Sequence, residues 1–324
     1  MTDHYVRADV RRFLDYLNAL PGPRTHELDP PAARQMFAAS KDLVDPPVGE
    51  LAVDRVVTIP SAAGDIPARL FDATANRLPG PVVVFYHGGG FVFGTVDTHA
   101  SLCAEIARTL DLPVLSVEYR LAPEHRWPAA PDDAEAAARW VAGNPAGLGV
   151  TATGLVLVGD SAGGMLVINT AMALRDAPAA VPVLVQAPIY PVTDPAGRYP
   201  SFDEFAEGYV LTKAAMLWFG DAYAADIEHM RGSPMRAPLA GMPPAVIVAA
   251  SLDPLRDQGR AYAARLIEAG VPTVYREAVG TIHGFATLRK AIPSAVGDMA
   301  GYLVALRATI AEAEGARVQQ QAAG

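Results

Sequence analysis

The chain has 324 residues, 51% of them hydrophobic, a net charge of −9 and a single cysteine, Cys103. That is ample for one large buried core, while the acidic balance without a basic patch argues against nucleic acid as a partner. One cysteine excludes an internal disulfide and fits a reducing, cytoplasmic compartment. No apolar run approaches membrane-spanning length. The charged start, Met1 to Arg7, has no apolar stretch behind it, so no secretory leader is expected.

In chain order, residues 5–20 carry Val6, Val10, Phe13, Leu14 and Leu17 at helical spacing, and Pro21-Gly22-Pro23 ends that helix. A second amphipathic helix is predicted over 30–42. Together these form a lid or peripheral layer over residues 1–45. From residue 51 the pattern becomes strand-rich. Residues 53–60 and 66–71 flank a Gly-containing loop and predict a β-hairpin. Residues 81–86 and 114–119 are nearly continuous apolar runs, as expected of strands covered on both faces. A helix over about 97–110 places Leu102, Cys103, Ile106 and Leu110 on one side, which makes Cys103 a small core residue. A helix over 131–142 has Asp132, Asp133 and Glu135 near its start and Arg139 near its end, an order that suits the helix dipole.

Strand, turn and helix then follow in quick succession, with Leu155–Val158 apolar, Gly159-Asp160-Ser161-Ala162-Gly163-Gly164 small, and Met165–Leu174 apolar again. Residues 181–187 read as another strand. Residues 188–243 break the alternation with seven prolines, several aromatics and one helical piece at 212–224, as expected of an insertion across the sheet ends. A strand over 245–250, a helix over 255–269 stopped by Gly270 and Pro272, a last strand over 272–277 and a final helix over about 294–312 complete the pattern. The small, polar tail 314–324 is expected to fray. Strands alternating with helices imply an α/β fold, a mostly parallel sheet with chemistry at the carboxyl ends of its strands.

Gly159, Ser161 and Gly163 fit G-x-S-x-G between a strand and a helix. A nucleophile at the tip of so sharp a turn sits in a strained backbone, and side chains two positions away would meet the adjoining strand and helix. An ordinary Gly-rich turn is the plainer reading, and the partners decide between them. A serine hydroxyl needs a base, and the base an orienting carboxylate, in the order Ser, Asp or Glu, His. Downstream of Ser161 only His229 and His283 remain. His283 follows the last strand, whereas His229 lies in the irregular insertion, so His283 is the base. Asp253 lies directly after strand 245–250. Asp257, one helical turn on, is expected to pair with Arg256 or Arg260, which leaves Asp253 as the carboxylate. His4, His26, His99 and His125 read as surface or structural. Oxyanion donors are expected from the N–H of Ala162 and from His87-Gly88-Gly89-Gly90, with His87 orienting that loop. No Lys-Ser/Thr follows these glycines, which disfavours a phosphate loop. No His/Asp/Glu cluster has metal-ligand spacing, so neither a metal nor a cofactor is expected.

His87–Gly90, Tyr119-Arg120-Leu121-Ala122-Pro123-Glu124, Gly159–Gly164, Asp253-Pro254-Leu255-Arg256-Asp257 and His283-Gly284-Phe285 together resemble the hormone-sensitive-lipase-like esterases of the α/β-hydrolase fold, the bacterial family IV group. The resemblance runs from about residue 50 to 312. It implies a catalytic core over 46–187 and 244–313, and a helical cap built from 1–45 and the insertion 188–243. It implies a carboxylic-ester hydrolase acting on short- to medium-chain acyl esters through Ser161, Asp253 and His283. Gly89, Gly90 and Ala162 match the oxyanion donors, and a one-residue loop shift would add Gly88. Glu118 stands where an Asp is commoner in the family. The stretch Tyr119–Glu124 is expected to brace the active-site floor. Phe91, Tyr190, Phe205, Tyr209, Leu211 and Trp218 are candidates to shape the substrate pocket, although plain core packing explains each equally well. The partner implied is a small-molecule ester. Family members are often homodimers, but the sequence holds no decisive interface signal. The alternatives carried are a non-catalytic ligand-binding protein on the same fold, whose kind tends to lose a triad member, and an amidase or acyltransferase.

Overall fold

A computed structural model of the chain describes residues 4–323. Eight strands form one sheet: β1 (Val53–Ile59), β2 (Ile66–Asp72), β3 (Gly80–Tyr86), β4 (Val114–Val117), β5 (Ala152–Asp160), β6 (Val183–Ile189), β7 (Ala245–Leu252) and β8 (Thr273–Ile282). Their order is β1-β2-β4-β3-β5-β6-β7-β8. The predicted hairpin β1–β2 is antiparallel, β2 pairs antiparallel with β4, and every later pairing is parallel.

The helices are α1 (Ala8–Ala19), α2 (Pro30–Val44), α3 (Ala100–Leu110), α4 (Ala129–Ala142), α5 (Ala162–Asp176), α6 (Pro200–Glu204), α7 (Lys213–Tyr223), α8 (Arg256–Glu268) and α9 (Ala295–Ala323). Strand side chains alternate between two faces, and the central strands are apolar on both. On β3, Val82, Val84 and Tyr86 join the core that α4, α5 and α8 cover, while Val83 and Phe85 join the one that α1, α3 and α9 cover. Cys103 is fully buried in the second core, as expected of a small apolar residue.

Local signals set the helix starts. Asp29 caps α2 by accepting from the Ala32 N–H, with Pro30 in the first turn, and Thr212 caps α7 by accepting from the Ala215 N–H. Arg7 anchors the start of the chain to Asp298 of α9 at 2.5 and 2.9 Å. From α2, Arg34 reaches the carbonyls of Val92 and Ala122 and the Glu124 carboxylate.

Two features differ from the sequence reading, and one adds to it. The last strand does not stop at residue 277. Gly280 adopts φ +77°, its N–H donates to Ser251 Oγ at 2.7 Å, and the register shifts so that Leu252 pairs with Ile282. The tail expected to fray instead continues α9 to Ala323. Its Ala, Glu, Arg and Gln residues are strong helix formers, and one glycine does not interrupt them. Asp133, near the start of α4 as read, has a further role that the sequence did not show. It is 1% exposed and holds Arg120 through both carboxylate oxygens and the Arg120 N–H.

Candidate active site

Ser161 stands at the turn from β5 into α5 with φ +55° and ψ −115°, a conformation that non-glycine residues rarely adopt. The flanking glycines have a steric reason. A β-carbon on Gly163 would collide with the carbonyl oxygen of Tyr86, and one on Gly159 with the backbone of Gly163. The turn is pinned by the Ser161 N–H to Ile189 O at 2.9 Å and by the Val192 N–H to Ser161 O at 3.3 Å. The N-terminus of α5, with its unpaired N–H groups and positive dipole end, therefore opens beside the serine hydroxyl.

The register between β7 and β8 brings the other two residues together. Leu252 pairs with Ile282, so Asp253 and His283, the next residues, leave adjacent strand ends side by side. His283 Nδ1 lies 2.7 Å from Asp253 Oδ2, and His283 Nε2 lies 2.9 Å from Ser161 Oγ. Asp253 is fully buried, and its other oxygen accepts from the Leu255 N–H at 2.8 Å. Asp257 is turned away, accepting from Arg256, Arg260 and the Ser201 N–H. His229 is exposed in the insertion, where Nδ1 accepts from the Arg231 N–H.

The Gly-rich loop after β3 lies against the elbow. The Gly88 N–H donates to Asp160 Oδ1 at 2.8 Å, so of the four candidate donors Gly88 is already engaged. Among the described residues, no turn, loop or cap hydrogen bond uses the N–H of Gly89, Gly90 or Ala162. His87 donates from Nδ1 to Gly88 O at 2.8 Å and stacks on Tyr119, with centroids 4.3 Å apart. The Tyr119 hydroxyl donates to His87 O at 2.7 Å, so this stretch does brace the floor of the loop.

Asp160 and His99 were not singled out in the sequence for any role at the site. Asp160 is 4% exposed, and its Oδ1 lies 3.3 Å from His99 Nε2. Burial works to raise the Asp160 carboxyl, but the His99 charge and the bonds from His99 and Gly88 outweigh it and hold it below its ordinary range. His99 is buried too, and the adjacent carboxylate overcomes that burial and raises its pKa. Burial, with the His99 charge, drives His87 down to about 3, so His87 stays neutral.

A cleft of about 830 Å³ opens over Ser161 and His283. Its walls come from α2, the Gly-rich loop, residues 192–232 and the starts of the loops after β7 and β8; they include Phe37, Met216, Leu217, Phe219, Leu255 and Leu288. Of the six pocket candidates, Phe91 and Leu211 line this cleft. The other four do not. Tyr190 is 1% exposed behind the histidine, its ring 4.6 Å from His283 and its hydroxyl 3.5 Å from Asp160. Phe205 is fully buried between Tyr209 and the Arg256 guanidinium, and Tyr209 meets it edge-on. Trp218 packs against the core beside Phe219. A smaller depression of about 370 Å³ at Thr74–Pro81 lies at the amino end of β3, away from Ser161. Among the described residues no group of three or more His, Cys, Asp or Glu could hold a metal ion, and no helix is long and apolar enough to cross a membrane.

Residues 83–287 match the model of a family described as having the alpha/beta hydrolase fold. The chain is 38% identical to esterase LipI of Mycobacterium tuberculosis over 78% of this chain and 81% of that one. It is 36% identical to an ethyl acetate hydrolase of Pseudomonas putida over 83% and 87% of the two chains. Among solved structures, an alpha/beta hydrolase enzyme from the metagenome of Lake Arreo, Spain, superposes with a TM-score of 0.89 at 36% identity, covering 94% of this chain and 98% of that one. An esterase from Pyrobaculum calidifontis does so with a TM-score of 0.85 at 34% identity, over the same shares. With the serine elbow, the Gly-rich loop and the matched sequence on one sheet, the chain belongs to the hormone-sensitive-lipase-like esterases of the α/β-hydrolase fold, and is a carboxylic-ester hydrolase.

Proposed function

We propose that this enzyme cleaves short- to medium-chain acyl esters through an acyl-enzyme on Ser161. The observation that carries this reading is the continuous relay from Ser161 Oγ to His283 Nε2 at 2.9 Å and from His283 Nδ1 to Asp253 at 2.7 Å. His283 takes the hydroxyl proton as Ser161 attacks the ester carbonyl. Asp253 accepts from Nδ1–H, which leaves the lone pair on Nε2 and stabilises the imidazolium once it forms. The carbonyl oxygen becomes an oxyanion facing the N–H groups of Gly89, Gly90 and Ala162. Each such donor supplies about 3 kcal/mol to the transition state in comparable sites. His283 then passes its proton to the departing alcohol. A water molecule, deprotonated by the same nitrogen, releases the acid and restores the serine.

The cleft supports the substrate class. Its apolar walls suit an acyl chain of modest length plus an alcohol group. Segments 1–45 and 188–243 together act as the cap that supplies most of those walls. A panel of p-nitrophenyl esters of graded chain length, with an anilide as amide control, tests the reading. Wild type hydrolyses the shorter esters and leaves the anilide intact, and Ser161→Ala loses at least about 10⁴-fold in kcat. Ser161→Ala activity near wild type would overturn the assignment. Fast anilide cleavage would move the enzyme to the amidases.

A further inference from the structure

The oxyanion loop is bent against its own preference, and α7 holds it there. Gly89, Gly90 and Phe91 have consecutive positive φ values of +119°, +60° and +64°. Glycine enters this region freely. A phenylalanine is strained there and stays only where its surroundings enforce it. Two contacts do so. The Phe91 carbonyl accepts from the Ala122 N–H at 2.8 Å. The Phe91 ring lies flat on Tyr223, with centroids 3.8 Å apart and planes 9° from parallel.

Tyr223 is the last residue of α7, and its carbonyl accepts from the Trp127 N–H at 3.1 Å. One turn earlier, the Phe219 ring covers Gly90 so closely that a β-carbon on that glycine would collide with it. Phe219 also meets Phe93 edge-on at 5.3 Å, and Phe93 leans on Phe37 of α2 at 4.6 Å. The Tyr223 hydroxyl is buried without a hydrogen-bond partner among the described residues, so the ring is what Tyr223 contributes to this packing.

We propose that Phe219 and Tyr223 are positioning residues for the oxyanion hole: α7, an element of the insertion, clamps Gly90 and Phe91 so that the N–H groups of Gly89 and Gly90 face the developing oxyanion. This inference rests on the serine-ester reading above. It makes the insertion part of the catalytic apparatus as well as a wall of the cleft. Donors work by being fixed before the charge develops, and a misplacement of about 1 Å is worth about 10²-fold in rate. Phe219 and Tyr223 also line the cleft, so their loss can weaken ester binding as well, and the mark of the clamp is a loss in kcat beyond any change in KM.

The test measures kcat and KM on one short p-nitrophenyl ester, with thermal unfolding, for wild type, Tyr223→Ala, Tyr223→Phe, Phe219→Ala and Ser161→Ala. The clamp predicts that Tyr223→Ala and Phe219→Ala lose about tenfold to a hundredfold in kcat, whatever change in KM accompanies it. It predicts that Tyr223→Phe, which keeps the ring, recovers most of that loss. The clamp is overturned if the folded alanine variants keep their kcat, if the change is confined to KM, or if Tyr223→Phe is as impaired as Tyr223→Ala. Should Tyr223→Ala fail to fold, Phe219→Ala decides alone, because Phe219 is only half-buried. Ser161→Ala separates the two levels. If it is inert while the α7 variants match wild type, only the clamp fails; if it remains active, the serine reading itself fails.

Discussion

Replacing Asp253 by asparagine tests the relay at its least accessible point, because the protein dictates how the new side chain must sit. Asp253 is fully buried with one oxygen on His283 Nδ1 and the other accepting from the Leu255 N–H. An asparagine keeps the shape but has only one oxygen. Turning its NH2 toward Leu255 would set two donors face to face in a dry site, an arrangement that costs about 1–3 kcal/mol. The carboxamide oxygen therefore stays on Leu255, and the NH2 points at Nδ1. An imidazole facing a donor at Nδ1 must accept there, so its proton moves to Nε2, the nitrogen 2.9 Å from Ser161 Oγ. That tautomer cannot take the serine proton. Loss of the correct tautomer in such a relay costs about 10⁴-fold in kcat, or about 5 kcal/mol of barrier. The assay is steady-state hydrolysis of a short p-nitrophenyl ester, with circular dichroism to show that the fold is kept. KM should change little, since Asp253 does not reach the cleft. A folded Asp253→Asn enzyme within tenfold of wild-type kcat would refute the tautomer argument.

Other outcomes follow from the same geometry. Asp160→Asn removes the charge that holds the Gly88 N–H and His99, so kcat falls by about tenfold or more; adding His99→Gln costs little further, because both act through one contact. Additive losses in kinetics of the double variant would contradict that coupling. Gly163→Ala drives a methyl group into the Tyr86 carbonyl, where neither backbone can yield, and destabilises the protein by about 3 kcal/mol or more in urea unfolding; wild-type stability would show that the elbow relaxes. For pH dependence, His87 has a folded pKa of about 3 against about 6.5 unfolded. Between those values the unfolded chain binds a proton that the folded one refuses, so stability falls as pH drops below about 6.5, by about 1.4 kcal/mol per unit. His99, raised in the fold, contributes stability below about pH 6.5 that is lost as pH rises through its folded value. Thermal unfolding from about pH 5 to 8 should therefore peak near 6.5. His87→Gln should flatten the acid side, and an unchanged acid slope in that variant would refute the assignment.

Much of this was legible in the sequence because the informative residues are forced by sterics or by chain order. Gly159 and Gly163 have to be glycine beside Tyr86 and each other. Asp253 and His283 follow strands that end side by side, so reading the strands located the residues. The β8 boundary was misread because a glycine at φ +77° lets the strand continue past the point where its alternation breaks. The pocket was the least legible part. Phe91 and Leu211 face the cleft, whereas Tyr190, Phe205, Tyr209 and Trp218 are drawn into packing elsewhere. An aromatic residue in an irregular segment carries no period from which to read its direction. Gly88 illustrates a finer limit: one of three consecutive glycines donates to Asp160, and only the register of the loop on the elbow decides which.

The central claim is that the acyl group passes through the hydroxyl of Ser161. Mixing the enzyme with excess p-nitrophenyl acetate, quenching in acid within the first turnovers and mapping the digest by mass spectrometry measures it directly. The account predicts one acetyl group per chain on the peptide that contains Ser161, and none in Ser161→Ala. Full-rate hydrolysis with that peptide unmodified throughout, or acetyl carried on another residue that the Ser161→Ala enzyme still acylates and turns over, would contradict it.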